Sequence, residues 1–124
     1  MKKTFIAMLS IMMLIICAVT VYAYEVDRDT GSVGGYSCYG TLWTISSTSM
    51  GATTHVDSSA TVLQNTTSIR VRSAGYSPVT VTNGPYASND VDVTGSMPAT
   101  IHSATGTHYA QISTGADWSG DTYY

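Results

Sequence analysis

Beyond Lys3 the 124-residue sequence contains no lysine, and its remaining cations are Arg28, Arg70 and Arg72. Three arginines make no basic stripe for phosphate, which argues against nucleic acid and anionic lipid as partners. The lysine isopeptide bonds that staple many secreted adhesin domains are excluded outright. No G-x-S-x-G turn is present, so no nucleophile elbow can be located, and a domain this small has little room for the cleft that the paired carboxylates of a glycosidase need. Of the two cysteines, Cys17 lies in the N-terminal apolar run, and Cys38 is left without a partner in the rest of the chain. Cys38 reads as a small buried hydrophobe in a strand, with an intermolecular disulfide as the alternative and a catalytic thiol a distant third.

Long hydrophobic runs are equally scarce, with one exception. Lys2 and Lys3 precede an apolar stretch from Phe5 to about Val19, and Val21 and Ala23 place small residues at the −3 and −1 positions of a cleavage site. Residues 1–23 are therefore expected to be a signal peptide, cleaved after Ala23, and the protein to be secreted. An uncleaved membrane anchor is the alternative. Removing 23 of the 124 residues leaves 101, with three arginines against 8 acids and a net charge of −5.

Ile, Leu, Val and Phe supply only 15 of those 101 residues, below the roughly 20% under which disorder becomes a concern. Low charge, eight tyrosines, Trp43 and Trp118 offset that shortage. One small folded domain with a thin core is expected.

No stretch after Ala23 repeats apolar residues at helical spacing, whereas period-two runs recur. Leu42 alternates with Thr41 and Trp43; Met50, Ala52, Thr54 and Val56 share one face; Ile69 and Val71 alternate with Arg70 and Arg72. Val79 and Val81, Val91 and Val93, the region of Ile101, and then His108, Ala110 and Ile112 continue the pattern. Turn signals separate them, among them Asn65-Thr66-Thr67, Ser77-Pro78, Asn83-Gly84-Pro85, Thr94-Gly95, Thr105-Gly106 and Ser119-Gly120. The fold class is all-β: a small antiparallel β-sandwich of six to eight strands occupying 36–124. Residues 24–35, with acids and three glycines, read as a flexible lead-in, and residues 117–124 as a last edge strand. SMGATTH at 49–55 and SMPATIH at 96–102 agree at five of seven positions. Both diverge at once beyond the histidine, so they read as two similarly patterned strands rather than a duplication.

Three chemistries compete for the polar residues. His55, His102 and His108 form an open metal site only if the fold gathers them, and no pair has a recognised ligand spacing; outward or hydrogen-bonded strand histidines are the simpler reading, with His55 and His102 facing away from the apolar residues. Asp27-Arg28-Asp29-Thr30-Gly31 and Asn89-Asp90-Val91-Asp92 carry alternate oxygens but lack the rest of a calcium loop. No catalytic residue, metal site or cofactor is assigned. What remains is surface: Tyr39, Trp43, Trp118, Tyr123 and Tyr124 are the candidate interaction residues, aromatics that either present contact area at low entropic cost or form the core.

The signal peptide, the hundred Ser/Thr-rich residues, YGTL at 39–42 and SATGTHYA at 103–110 before Trp118 resemble small secreted proteins of Gram-positive bacteria with no assigned activity. His55 followed by Ser59-Ala60-Thr61-Val62, and the Tyr123-Tyr124 terminus, are also similar to the lactococcin 972 type of bacteriocin. That second resemblance implies a small secreted β-sandwich interfering with envelope synthesis in neighbouring bacteria. The main expectation is a secreted, non-catalytic β-domain acting on an extracellular protein or envelope component, with the bacteriocin as the alternative.

Overall fold

The computed structural model describes residues 23–124; the signal segment expected over 1–23 falls, but for Ala23, outside them. Eight strands follow: β1 (Tyr24–Val33), β2 (Tyr36–Ser46), β3 (Ser49–Val56), β4 (Val62–Ser73), β5 (Val79–Tyr86), β6 (Asp90–Ser96), β7 (Ile101–Ile112) and β8 (Asp117–Tyr123). They form two antiparallel four-stranded sheets, ordered β1-β2-β3-β6 and β5-β4-β7-β8. The chain is an all-β sandwich, at the upper end of the expected strand count. Alternation sets the faces: in β6, Val91, Val93 and Gly95 are buried while Asp90, Asp92 and Thr94 are exposed.

Residues 24–33 are strand, not lead-in. β1 pairs with β2 along its length, and the hairpin closes through Gly34 and Gly35, whose φ values of 57° and 90° suit a tight two-residue turn of the type that follows strand twist. The acids that made this segment look solvated have structural partners. Asp27 Oδ2 accepts the backbone N–H of Tyr123 at 2.8 Å and Asp29 Oδ2 that of Asp121 at 3.2 Å. β8 is the edge of its sheet, and these carboxylates occupy donors that an open edge would otherwise offer to another chain.

Several glycines expected in turns sit inside strands instead: Gly95 in β6, Gly106 in β7 and Gly120 in β8. Close approach is the reason. A methyl group on Gly95 would lie 3.2–3.3 Å from Ile69 and Val71 across the sandwich, and one on Gly106 would collide with the Thr122 hydroxyl. Asn65-Thr66-Thr67 likewise lies within β4, with Asn65 and Thr67 fully buried. The similarity between 49–55 and 96–102 also dissolves. The first copy is β3, whereas the second leaves β6 after Ser96, crosses at Pro98 and enters β7 at Ile101. Proline has no N–H for a ladder, which suits it to that crossing.

The interior holds two apolar clusters. Leu42, Met50, Ile69, Val71, Val93 and Ile101 belong to one, and Val33, Cys38, Val56, Val62, Ala110 and Ile112 to the other. Each fully buried Leu, Ile or Val contributes about 1.5–3 kcal/mol. Cys38 is a buried free thiol, as a strand hydrophobe should be. A polar belt of Gly40, Thr54, Asn65, Thr67, His108 and Thr122 lies among the buried residues, and Thr41 and Ser73 are buried elsewhere.

Candidate functional site

The polar belt centres on His108, which is inaccessible to solvent. β7 carries its ring inward beneath Gly40 of β2, where any side chain would overlap the imidazole. His108 Nδ1 lies 2.9 Å from Thr54 Oγ1 and Nε2 3.0 Å from Thr122 Oγ1. Thr67 Oγ1 is 2.6 Å from Thr54 Oγ1 and 2.7 Å from the Val91 carbonyl oxygen. A carbonyl only accepts, so the single Thr67 proton goes to Val91 and Thr54 donates to Thr67. Thr54 then accepts from His108 Nδ1–H, and Thr122 donates to Nε2. Thr54 Oγ1 also lies 3.4 Å from the Thr66 carbonyl oxygen, and this arrangement of donors is the one that suits a neutral imidazole. Burial lowers the His108 pKa to about 4, although the carboxylates of Asp121 and Asp29 pull the other way. Asn65 completes the belt by donating from Nδ2 to the carbonyls of Thr54 and Ser88, while its Oδ1 has no partner.

The Cys38 thiol is pushed up by burial and by Asp29, away from thiolate. Tyr39 and His55 are on the opposite side of the sheet from Cys38, so no thiol–histidine pair forms there.

The outward side of the β1-β2-β3-β6 sheet is different in character. Register places Thr30, Tyr39, His55 and Asp90 in one row across the four strands, and Trp43, Gly51 and Thr94 in a second. Thr41, Thr53 and Asp92 lie between them. Tyr39 is sandwiched: Arg28 sits 4.1 Å above the ring centroid, and the His55 ring stacks at 4.7 Å with an interplanar angle of 24°. Arg28 is held by two bonds to Glu25, at 2.9 and 2.7 Å, which lower the Glu25 carboxyl pKa and raise that of the guanidinium. His55 Nδ1 lies 2.6 Å from Asp90 Oδ1. A carboxylate oxygen accepts, so Nδ1–H donates.

Trp43 lies flat over Gly51. A methyl group there would fall into the indole face against Cε2, Cζ2 and Cη2 at once, so the absence of a side chain is what lets the ring settle on the strand. Trp43 Nε1–H donates to Thr53 Oγ1 at 3.2 Å, and Thr53 donates onward to Asp92 Oδ1 at 2.5 Å. The indole is thereby fixed in position and azimuth.

The five aromatics named from the sequence divide among three places. Tyr39 and Trp43 share the outward face just described. Trp118 alternates with Gly120 and Thr122 on the inward side of β8; its ring packs over Gly31 and against the second apolar cluster. Tyr123 and Tyr124 are 60% and 50% exposed at the end of the other sheet, where Tyr124 continues the ladder by bonding Ala104 through both N–H and C=O. The histidines are equally dispersed. His55 and His102 point away from the core, as alternation required, whereas His108 is central to it. The Asp27–Gly31 run is strand, and Asp90 and Asp92 bond to β3 side chains. Among the described residues no group of three or more His, Cys, Asp or Glu is placed to hold a metal ion.

Sequence reasoning missed Gly51, Thr53, His55, Asp90 and Asp92 as members of the aromatic face. Their pairing spans up to 39 positions, and the one signal was the alternation of Asp90 and Asp92 opposite a strand whose outward residues are Thr53 and His55. Comparison with known proteins returns no matching family model, no matching curated protein and no matching solved structure.

Proposed function

We propose that this is a secreted, non-catalytic β-domain that works by interaction outside the cell, docking the outward face of the β1-β2-β3-β6 sheet on an envelope component or extracellular partner. One observation carries the reading: Tyr39 and Trp43 are organised on the side of the sheet away from the core by two sets of contacts, one running Glu25–Arg28–Tyr39–His55–Asp90 and the other Trp43–Thr53–Asp92. Folding needs no such contacts, since the apolar clusters lie on the other side. Rigid aromatics with fixed polar neighbours are what a binding surface uses to gain contact at low entropic cost. With no lysine and a net charge of −5 beyond Ala23, long-range attraction to phosphate polymers does not contribute.

The test is retention of the secreted protein on envelope fragments of the producing cells. Trp43→Ala and Tyr39→Ala are expected to lower retention about tenfold each, while Tyr123→Ala on the other sheet leaves it unchanged. Equal retention of wild type and both variants would remove this face as the working surface.

A further inference from the structure

We infer that the outward face binds a neutral, extended polysaccharide, with Trp43 as the stacking platform and Asp92 and Asp90 as acceptors for sugar hydroxyls. The inference rests on the interaction reading above and names the partner's chemistry. Trp43 has one face against the backbone of Gly51, so its other face is directed away from the sheet. A flat ring held parallel to a sheet suits the axial C–H face of a pyranose, which meets a π-face through weak C–H contacts and apolar area.

The polar atoms around it match a sugar better than they match a protein or a phosphate. Asp92 and Asp90 each use only Oδ1 in these contacts, leaving Oδ2 without a partner among the described residues, and Asp90 is 60% exposed. Carboxylate oxygens fixed in this way accept hydroxyl protons in short, charge-assisted bonds. The one guanidinium on the face, Arg28, is already committed to Glu25 and Tyr39, so no cation is open to phosphate or to an acidic sugar. Apart from Ile45, the outward positions of β2, β3 and β6 carry no aliphatic side chain; they offer Thr53, Thr94 and Ser96 hydroxyls. Tyr39, the other aromatic of the face, is covered by Arg28 and His55, which leaves the indole as the one open ring, a smaller apolar centre than a protein-binding hot spot uses. Trp43 Nε1 and Asp92 Oδ1 both bond Thr53 Oγ1, at 3.2 and 2.5 Å, so the platform and its first acceptor serve one sugar ring. Asp90 stands two residues along β6, about 7 Å further on, and so reaches the next residue of an extended chain.

The experiment uses the secreted full chain and a panel of insoluble polymers: cellulose, chitin, peptidoglycan sacculi stripped of anionic polymer, and a phosphate-bearing wall polymer. Binding is followed by pull-down, and by indole fluorescence in a Trp118→Phe background so that Trp43 is the sole reporter. At least one neutral polymer is expected to be retained and the phosphate polymer not. Trp43→Ala should weaken retention about tenfold. Gly51→Ala should weaken it comparably although the indole is still present, because the added methyl lifts the ring from the strand. Asp92→Asn should give a smaller loss, and near-ultraviolet circular dichroism of each variant reports whether the fold is intact. If a neutral polymer binds equally well to wild type, Trp43→Ala and Gly51→Ala, the platform is wrong. If none of the neutral polymers binds while Trp43→Ala still abolishes envelope retention, the glycan is wrong and the interaction face stands. Loss of both overturns both.

Discussion

Acid should destabilise this domain through one residue before its carboxylates begin to titrate in force. His108 is buried and neutral with a pKa lowered to about 4, against an ordinary value of 6.5 in the unfolded chain. Between those values the unfolded state binds a proton that the native state does not, so stability rises with pH by about 1.4 kcal/mol per unit. The contribution is complete above pH about 6.5 and is lost as pH falls from there toward about 4; over the whole window it amounts to about 3 kcal/mol. For a domain of this size that is a large part of a total of about 5–15 kcal/mol. The lowered pKa values of Glu25 and Asp57 act in the same direction, but in a window that opens only near their ordinary values of 4.5 and 3.8 and extends below them.

Urea unfolding followed by tryptophan fluorescence at pH 7.5, 6.5, 5.5 and 4.5 measures this directly. The wild type should lose stability steadily across the series. His108→Gln should start less stable, because the threonine chain is broken, yet vary little over the same range. Long-range nitrogen–proton correlation should show the ring of His108 protonated at Nδ1 alone from pH 7.5 down to 5. A His108→Gln slope equal to that of the wild type, or a proton resident on Nε2, would refute the reasoning.

Two further outcomes follow from the same contacts. Gly40→Ala places a methyl group in the His108 ring and should cost about 1–3 kcal/mol by denaturant midpoint, as overpacking does. Asp27→Ala removes the acceptor for the Tyr123 N–H and should cost about 1.5–3 kcal/mol, with faster hydrogen exchange at the Tyr123 amide and little change at the amides of β3.

Strand content was legible because most strands here are half-buried, and half-burial writes itself as alternation. β3, β4, β6 and β7 were all read from alternate apolar residues. β1 escaped because its inward positions include Asp27 and Asp29, which serve the β8 edge and carry no hydrophobic signal. The Gly34-Gly35 pair was a stronger sign of a hairpin than of a flexible segment. Glycine also misled in the opposite sense: Gly95 and Gly120 mark places where the two sheets approach too closely for a side chain, and Gly106 one where the Thr122 hydroxyl of the neighbouring strand fills the space, reasons that exist only once the strands are packed. Tyr39 and Trp43 were legible as a pair on one face of a strand, while Trp118 stood open between surface and core because the residues that share its side of β8, Gly120 and Thr122, carry no apolar signal.

Strand alternation ties the belt and the platform to the same few backbone positions. On β2, Gly40 makes room for His108, while its neighbour Tyr39 stands on the other side with Arg28 and His55. On β3, Thr54 accepts from His108, while Thr53 and His55 on either side of it hold Asp92 and Asp90. A chain short of Leu, Ile and Phe has little apolar volume with which to pin these two strands, and the polar belt supplies directional bonds where bulk is lacking. Directional bonds fix azimuth and register more tightly than apolar contact does, since each hydroxyl has a single geometry that satisfies it. The platform needs that kind of constraint, because a one-residue slip of β3 would turn Thr53 and His55 inward and bring Thr54 out beside Trp43. The thin core and the ordered outer face are therefore one arrangement, in which the interior hydrogen bonds hold the register that the surface requires.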